Sequence, residues 1–576
     1  MGFSTVLTLA RYLFYLILLV PIAVGVIGVI LPAAGYFPAL GQHGWSSEPF
    51  ARLLAHPDIS KMAGLSLFTS LLATLIAFIG TVAVLAQFYQ CKALARIQHG
   101  LSPVLAIPHA AAAIAVAFLL APSGWAARFT ATFTHTVLPD AHSLMYDDYG
   151  LAIVLALAIK ELPFMLLMAL GVLSQPNVKQ RLEGQMRVAQ TLGYCHQTSF
   201  LKIVFAQLYP QVRLPVLAVL AYASASVEIP LILGPQNPPT LAVAIVQWFN
   251  HTDLSMRFQA SAAAIVQMLV TLAAVVVWLL GEKIWQQGFR WQLVSGNRMW
   301  GKAGSTWLAR LLLGCLVTAT LLIMLSMISY SFAGFWPYPN LVPTQLTLLH
   351  WQDALQALGK PIGNTLMLGF VSTCIAVLLV LLFLESEQQS NRTGPSATLA
   401  DKLLFIPLMV PGVAFLYGLV WVGQWLFAEA IWLPVILSHL VYVIPYVFLS
   451  LAVAYRQLDI RYVHVATSLG KSPRQVFFRL KLPMLFAPVM VALALGAAIS
   501  FGQYLPTLLV SGGRLATVTT EAVAIASGAS RRLTAVYALM QMLLPLLGFL
   551  LAWWLPTMLF NPAKQAKPSG SRNRTC

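Results

Sequence analysis

Apolar residues run through this 576-residue chain in long stretches separated by short polar segments, without the alternation that marks barrel strands. Runs near 20 residues long fall at about 10–31, 63–89, 104–121, 149–173, 212–233 and 258–280. A second set falls at about 308–330, 361–384, 402–427, 431–453, 487–509 and 532–558. A helix needs about 20 apolar residues to cross a bilayer, so the pattern predicts an all-α membrane protein of about twelve transmembrane helices. The first run, Tyr12 to Leu31, is longer than the apolar core of a typical signal peptide and reads as a retained helix.

The two sets of six carry matching landmarks in the same order. Ile107-Pro108 in the third run corresponds to Ile406-Pro407 in the ninth, and Leu162-Pro163-Phe164 to Ile444-Pro445-Tyr446. Glu228-Ile229-Pro230-Leu231 corresponds to Tyr504-Leu505-Pro506-Thr507, each leading into a glycine-containing outer loop. Six is even, so both sets keep one orientation: a parallel repeat about a pseudo-two-fold along the membrane normal. A basic segment near 281–305 divides them, giving a first unit over 1–300 and a second over 301–576.

Composition agrees with lipid as the solvent. The chain is 59% hydrophobic and 9% charged, with mean hydropathy +0.80. With the N-terminus inside, cytoplasmic segments and span ends hold 25 of the 34 Lys/Arg and the opposite side eight. That split predicts both termini, including a short basic C-terminal tail, in the cytoplasm of a bacterial inner membrane. The net charge of +17 then reflects basic loops on anionic headgroups, with no call for nucleic acid. The five cysteines have no metal-ligand spacing and none falls in an outer loop, so neither metal, cofactor nor structural disulfide is expected.

One polar motif occurs twice. V-A-x-x-L-G stands at Val188–Gly193 and at Val465–Gly470, inside basic cytoplasmic segments at about 174–211 and 454–486. Ten residues after each glycine comes an aliphatic residue, Ile203 or Leu480. In the second copy a short helix should stop at Gly470, a residue suited to the left-handed C′ conformation. Ser472-Pro473-Arg474-Gln475 then offers an N-cap, an N1 proline and a capping-box partner for the next helix. The first copy has the same spacing and weaker caps. One such loop reads equally well as an interfacial helix on lipid headgroups, but two at equivalent places favour a docking element used twice.

These residues resemble the E-A-A-x3-G-x9-I-x-L-P signature of permease subunits in binding-protein-dependent ATP-binding-cassette (ABC) importers. Ala466, Gly470, Leu482 and Pro483 match it in the second copy, with Leu480 for the isoleucine. In the first copy Ala189, Gly193 and Ile203 match, while Phe205 and Ala206 replace Leu-Pro. The acidic position holds Arg187 and His464, so that glutamate's role is missing here. Two permease units in one chain is similar to the ferric-iron and thiamine importers and to permeases of the YnjC type. The resemblance implies a type I importer (MetI-like) fold, with each loop a coupling helix seated on a separate ATPase subunit, an expected homodimer. It also implies a periplasmic solute-binding protein and a small-molecule solute moved by alternating access. Leu469-Gly470-Lys471-Ser472 imitates a phosphate loop, but Val465 stands where its first glycine is required. ATP hydrolysis is therefore expected elsewhere, and the chain is not read as an enzyme.

Lys160 and Glu161 fall inside the fourth run, Glu228 at the outer end of the fifth, and Gln503 at the equivalent place in the eleventh. A charge at mid-bilayer costs roughly 2.5–3.5 kcal/mol on insertion scales. Two readings stand: these side chains line the solute path, or Lys160 and Glu228 form a structural ion pair across two helices. An ion-coupled carrier with twelve spans is the competing function class, although three one-sided charges are a thin coupling set. The solute itself is not legible in the sequence.

Overall fold

The computed structural model describes residues 2–94, 96–98, 107–135, 144–299, 302–389, 403–426, 429–528 and 530–559. A helix lies in each of the twelve apolar runs. The first six are α1 (Phe3–Ala33), α2 (Ile59–Phe88), α3 (His109–Leu120), α4 (Leu151–Leu173), α5 (Ala206–Ala225) and α6 (Met256–Val294). The second six are α7 (Lys302–Phe332), α8 (Leu349–Gln389), α9 (Gly412–Leu426), α10 (Trp432–Arg456), α11 (Phe486–Phe501) and α12 (Arg531–Leu559). Among the described residues ten helical segments are long and apolar enough to cross a membrane, the third as His109–Thr134 and the fifth as His196–Ala225. The eleventh run does so with the segment before it, and α9 is shorter. The start of the third run (104–106), residues 402 and 427 at the ends of the ninth, and the basic tail after 559 lie outside the described residues.

The fifth and eleventh runs end earlier than their hydropathy predicts. α5 stops at Ala225 and α11 at Phe501, and the chain then forms two short helices in each half. These are Glu228–Leu233 with Leu241–Phe249, and Leu505–Ser511 with Val518–Ala526. They are apolar because they are buried between spans, so hydropathy alone cannot distinguish them from a continued span. The repeated landmarks thus mark repeated structure.

Each half lends its first helix to the other. Phe14, Ile17 and Leu18 of α1 are buried in one core with α8 and α10, where Phe14 stacks on Phe383 at 4.2 Å. Leu316 of α7 joins a first-half core with Leu162 and Leu166. Ile323 and Met327 of α7 join another with Ile114 and Val116. Beyond the C-terminal end of α7, Arg128 donates to the carbonyls of Pro337 and Asn340 (3.0 and 2.6 Å) and lies over the Trp336 ring. Helix association in lipid relies on close packing rather than apolar burial, and α1 meets α9 at glycines. A β-carbon at Gly28 would lie 2.7 Å from the Gly418 α-carbon, and one at Gly418 1.8 Å from the Gly25 carbonyl oxygen.

Candidate coupling segments and central chamber

The two V-A-x-x-L-G motifs build the same turn. Helix Pro176–Thr191 ends at Gly193 with φ +85°, and helix Ile460–Ser468 at Gly470 with φ +74°. After the glycine, Tyr194 N–H donates to the Ala189 carbonyl and Lys471 N–H to the Ala466 carbonyl, both at 3.1 Å. This is the Schellman arrangement, in which the left-handed residue turns the chain back on the helix end. In the second copy Ser472 and Gln475 form the expected reciprocal capping box, at 3.1 and 3.3 Å. Cys195, at the same place in the first copy, makes no side-chain cap.

The side chains divide by face. Leu182, Met186 and Ala189 are buried beneath the first segment, while Val188 and Leu192 point out, about 60% exposed. The equivalent Val465 and Leu469 are likewise exposed, at 60% and 72%. Ala189 and Ala466 therefore act in the turn, and the exposed valine–leucine pair forms the apolar surface in both copies. The glycines differ in access. Gly470 has open space around it, whereas the Arg298 side chain lies 3.3 Å from where a Gly193 β-carbon would be.

The exits differ as well. Residues Phe200–Phe205 and Phe477–Lys481 both widen into a π turn, holding Ile203 and Leu480 half-buried. The first copy then runs unbroken into α5 through Phe205 and Ala206, as one helix from His196 to Ala225. The second bends by 75° between Pro473–Met484 and α11. Leu482 and Pro483 precede that bend and Pro488 follows it; each proline removes a backbone donor and crowds the preceding turn. Ala206 and Gln211 stand at those two proline positions in the first half, so the departure from Leu-Pro is a departure in shape.

A buried charge pair ties the second segment to the spans. Lys481 Nζ donates to Glu385 Oε2 at 2.6 Å and to Gln388 Oε1 at 2.7 Å. The Tyr455 hydroxyl donates to the same Glu385 oxygen, and Gln389 to the other at 2.8 Å. Glu385 and Lys481 are only 2% and 4% exposed. Near the first segment, Gln197 and Thr306 both donate to Gln87 Oε1 (3.0 and 2.9 Å), a neutral contact to the spans. Sequence reading passed over Glu385, because it sits at the polar end of an apolar run and its partner is 96 residues away.

The intramembrane charges each meet a partner nearby. Lys160 Nζ turns to the Ile107 carbonyl, toward a space lined by Ala112, Thr320 and Met542. Glu161 Oε1 lies 3.2 Å from His109 Nε2. The Glu228 carboxylate accepts from the backbone N–H of Tyr504, its own counterpart in the second half. Lys160 and Glu228 thus each meet a backbone group.

Tyrosines surround the two acids. Tyr222, Tyr442 and Tyr504 lie within electrostatic reach of Glu228, and Tyr222 and Tyr446 within reach of Glu161. The His109 and Tyr222 rings meet at 4.7 Å. Phe164 and Tyr446, matched landmarks of the two halves, face each other at 6.4 Å. His109 is deep in the bundle yet 31% exposed, and Tyr222, Glu228, Tyr442, Tyr446 and Gln503 are all partly open. We read this half-buried cluster, gathered where the two halves meet, as the wall of a central chamber.

Residues 390–557 match the family model described as the binding-protein-dependent transport system inner membrane component. The chain is 30% identical over 544 residues, 94% of its length, to the inner membrane ABC transporter permease protein YnjC of Escherichia coli K12, covering 96% of that relative. It is 31% identical to the molybdenum transport system permease protein ModB of Mycobacterium tuberculosis, over 28% of this chain and 68% of that one. A spermidine/putrescine transport system permease PotC homolog of Mycoplasma pneumoniae is 28% identical over 28% of this chain and 57% of that one.

Proposed function

The chain belongs to the family of inner-membrane permeases of binding-protein-dependent ABC importers, and on that premise we propose that its two glycine turns are the contacts through which ATPase subunits drive it. It is a transmembrane permease component, and ATP hydrolysis lies in a separate ATPase subunit. Relationship to importers that use a solute-binding protein makes that protein the second partner. The proposal rests on one observation: an exposed valine–leucine pair flanks a left-handed glycine at matched places in both halves. An exposed apolar pair on a basic segment fits a protein groove.

Two such contacts suit an ATPase homodimer, one subunit per half. The same contacts require the 174–211 and 454–486 segments, and hence both termini, to face the cytoplasm, in keeping with 25 of 34 Lys/Arg on that side. Units 1–300 and 301–576 then rock about the chamber, so that Glu161, Glu228 and Gln503 line the path by alternating access. Relatives are named for molybdenum and for spermidine/putrescine, so kinship alone does not choose a solute.

Val465→Asp with Leu469→Asp should abolish co-purification of the ATPase and uptake, with insertion and melting unchanged. The equivalent pair of changes at Val188 and Leu192 should weaken both less, because Arg298 covers Gly193. Undiminished ATPase recovery with the first double variant would sink the proposal.

A further inference from the structure

The last span of each half carries a fully buried glutamine about three turns from its start: Gln267 in α6 and Gln541 in α12, 0% and 1% exposed. Both reach the end of the span before them. Gln267 Nε2 donates to the carbonyl of Ser224, in the last turn of α5, at 3.0 Å, with the Thr271 hydroxyl at 3.5 Å. Gln541 Nε2 donates to the Thr519 hydroxyl at 2.8 Å, and that hydroxyl donates to the carbonyl of Phe501, the last residue of α11. These are carbonyls that a helix end leaves without an intrahelical partner. The Ser224 carbonyl can only accept, and Thr519 has given its proton to Phe501, so both amides must present nitrogen. Gln267 Oε1 and Gln541 Oε1 are left buried with no donor among the described residues. A matched hydroxyl holds the far side of each break. The first N–H of helix Leu241–Phe249 donates to Ser66 Oγ of α2 at 3.1 Å, and the first N–H of helix Val518–Ala526 to Thr365 Oγ1 of α8 at 3.0 Å.

A buried amide with an orphaned oxygen is a poor stabiliser, because desolvating that oxygen works against the hydrogen bond its nitrogen makes. Stability alone therefore does not account for the same group at matched places in both halves. What the two arrangements share is geometry, since each fastens the broken end of one span to the last span of its half. We propose that Gln267 and Gln541 are positioning residues of the transport cycle, locking each break to its own half so that the break swings with that half. The inference rests on the reading that the halves rock. Glu228 accepts from the backbone N–H of Tyr504, so the two breaks touch across the halves, and whatever carries the breaks makes or parts that contact. In the first half the lock is direct. In the second it runs through Thr519 and takes helix Val518–Ala526 with it.

The test uses the full chain with its ATPase in lipid nanodiscs, the five native cysteines replaced by alanine. Nitroxide labels on Asn250→Cys and Ser527→Cys, at the exposed ends of the matched short helices, report the distance between the breaks. Labels on Ser527→Cys and the exposed Leu547→Cys report how firmly one break is held to α12. Pulsed electron–electron resonance is read without nucleotide and after trapping with ATP and vanadate. With native glutamines, trapping should shift the first distance and leave the second sharp and unchanged. Gln267→Met with Gln541→Met should at least halve the shift and broaden the second distribution, with melting unchanged. Thr519→Val should match Gln541→Met in the second distribution, and combining them should add nothing, because both break one relay. A shift that survives the paired methionines, or that shrinks only as far as melting falls, overturns the proposal. A chain with native glutamines that recruits the ATPase and shows no shift overturns the rocking reading instead, and this inference falls with it.

Discussion

Lys481 and Glu385 meet out of water, where removing one partner strands the other's charge and typically costs about 3–5 kcal/mol. Lys481→Met or Glu385→Gln alone should therefore lower the melting temperature markedly. Lys481→Met with Glu385→Leu should restore most of it, because a well-packed apolar pair replaces a buried ion pair at little net cost. If the pair transmits motion, the double variant keeps its fold yet hydrolyses ATP with less uptake per turnover. Stability from melts and uptake per ATP in proteoliposomes separate the two effects. Gly193 and Gly470 were legible in sequence because a C′ glycine followed by caps is a local signal. Glu385–Lys481 and Glu228–Tyr504 were not, because they join distant segments that each look ordinary alone.

Helices were the most legible level, since a run of about 20 apolar residues in lipid has few other options. What sequence could not mark was where α5 and α11 give way to short helices, because burial inside protein and burial in lipid select the same side chains. The contrast between a continuous α5 and a bent α11 was half visible in Phe205-Ala206 against Leu482-Pro483. The α1–α9 crossing was invisible, although it depends on three glycines. Gly418→Leu should force those helices apart and cost of the order of 1–3 kcal/mol, the usual range for overpacking. Gly423→Leu, where a β-carbon meets nothing within 4 Å, is the matched control. Melting of the two variants in one detergent compares them, and equal melting would mean the crossing bears no load.

At the scale of the molecule, an all-α permease with many spans followed from the apolar runs, and kinship to permeases from the repeated motif. The exchange of α1 and α7 did not, because no pattern within a helix says which half it will pack on. Since each half needs a helix from the other, fragments 1–300 and 301–576 should each be degraded when made alone. Co-expressed, they should recover one another on a tag carried by either, and stable accumulation of fragment 1–300 by itself would contradict the exchanged packing. Exchange also gives the fold a timetable. Gly418 lies 390 residues after Gly28, which at about 5–20 residues per second is a delay of roughly 20–80 s during synthesis. Through that interval α1 is without the helix its glycines fit, and its bare glycine stripe faces lipid or whatever helix drifts past. Insertion of α1 and completion of the permease are thus separate events, with a waiting period between them during which the nascent chain is most open to mispairing.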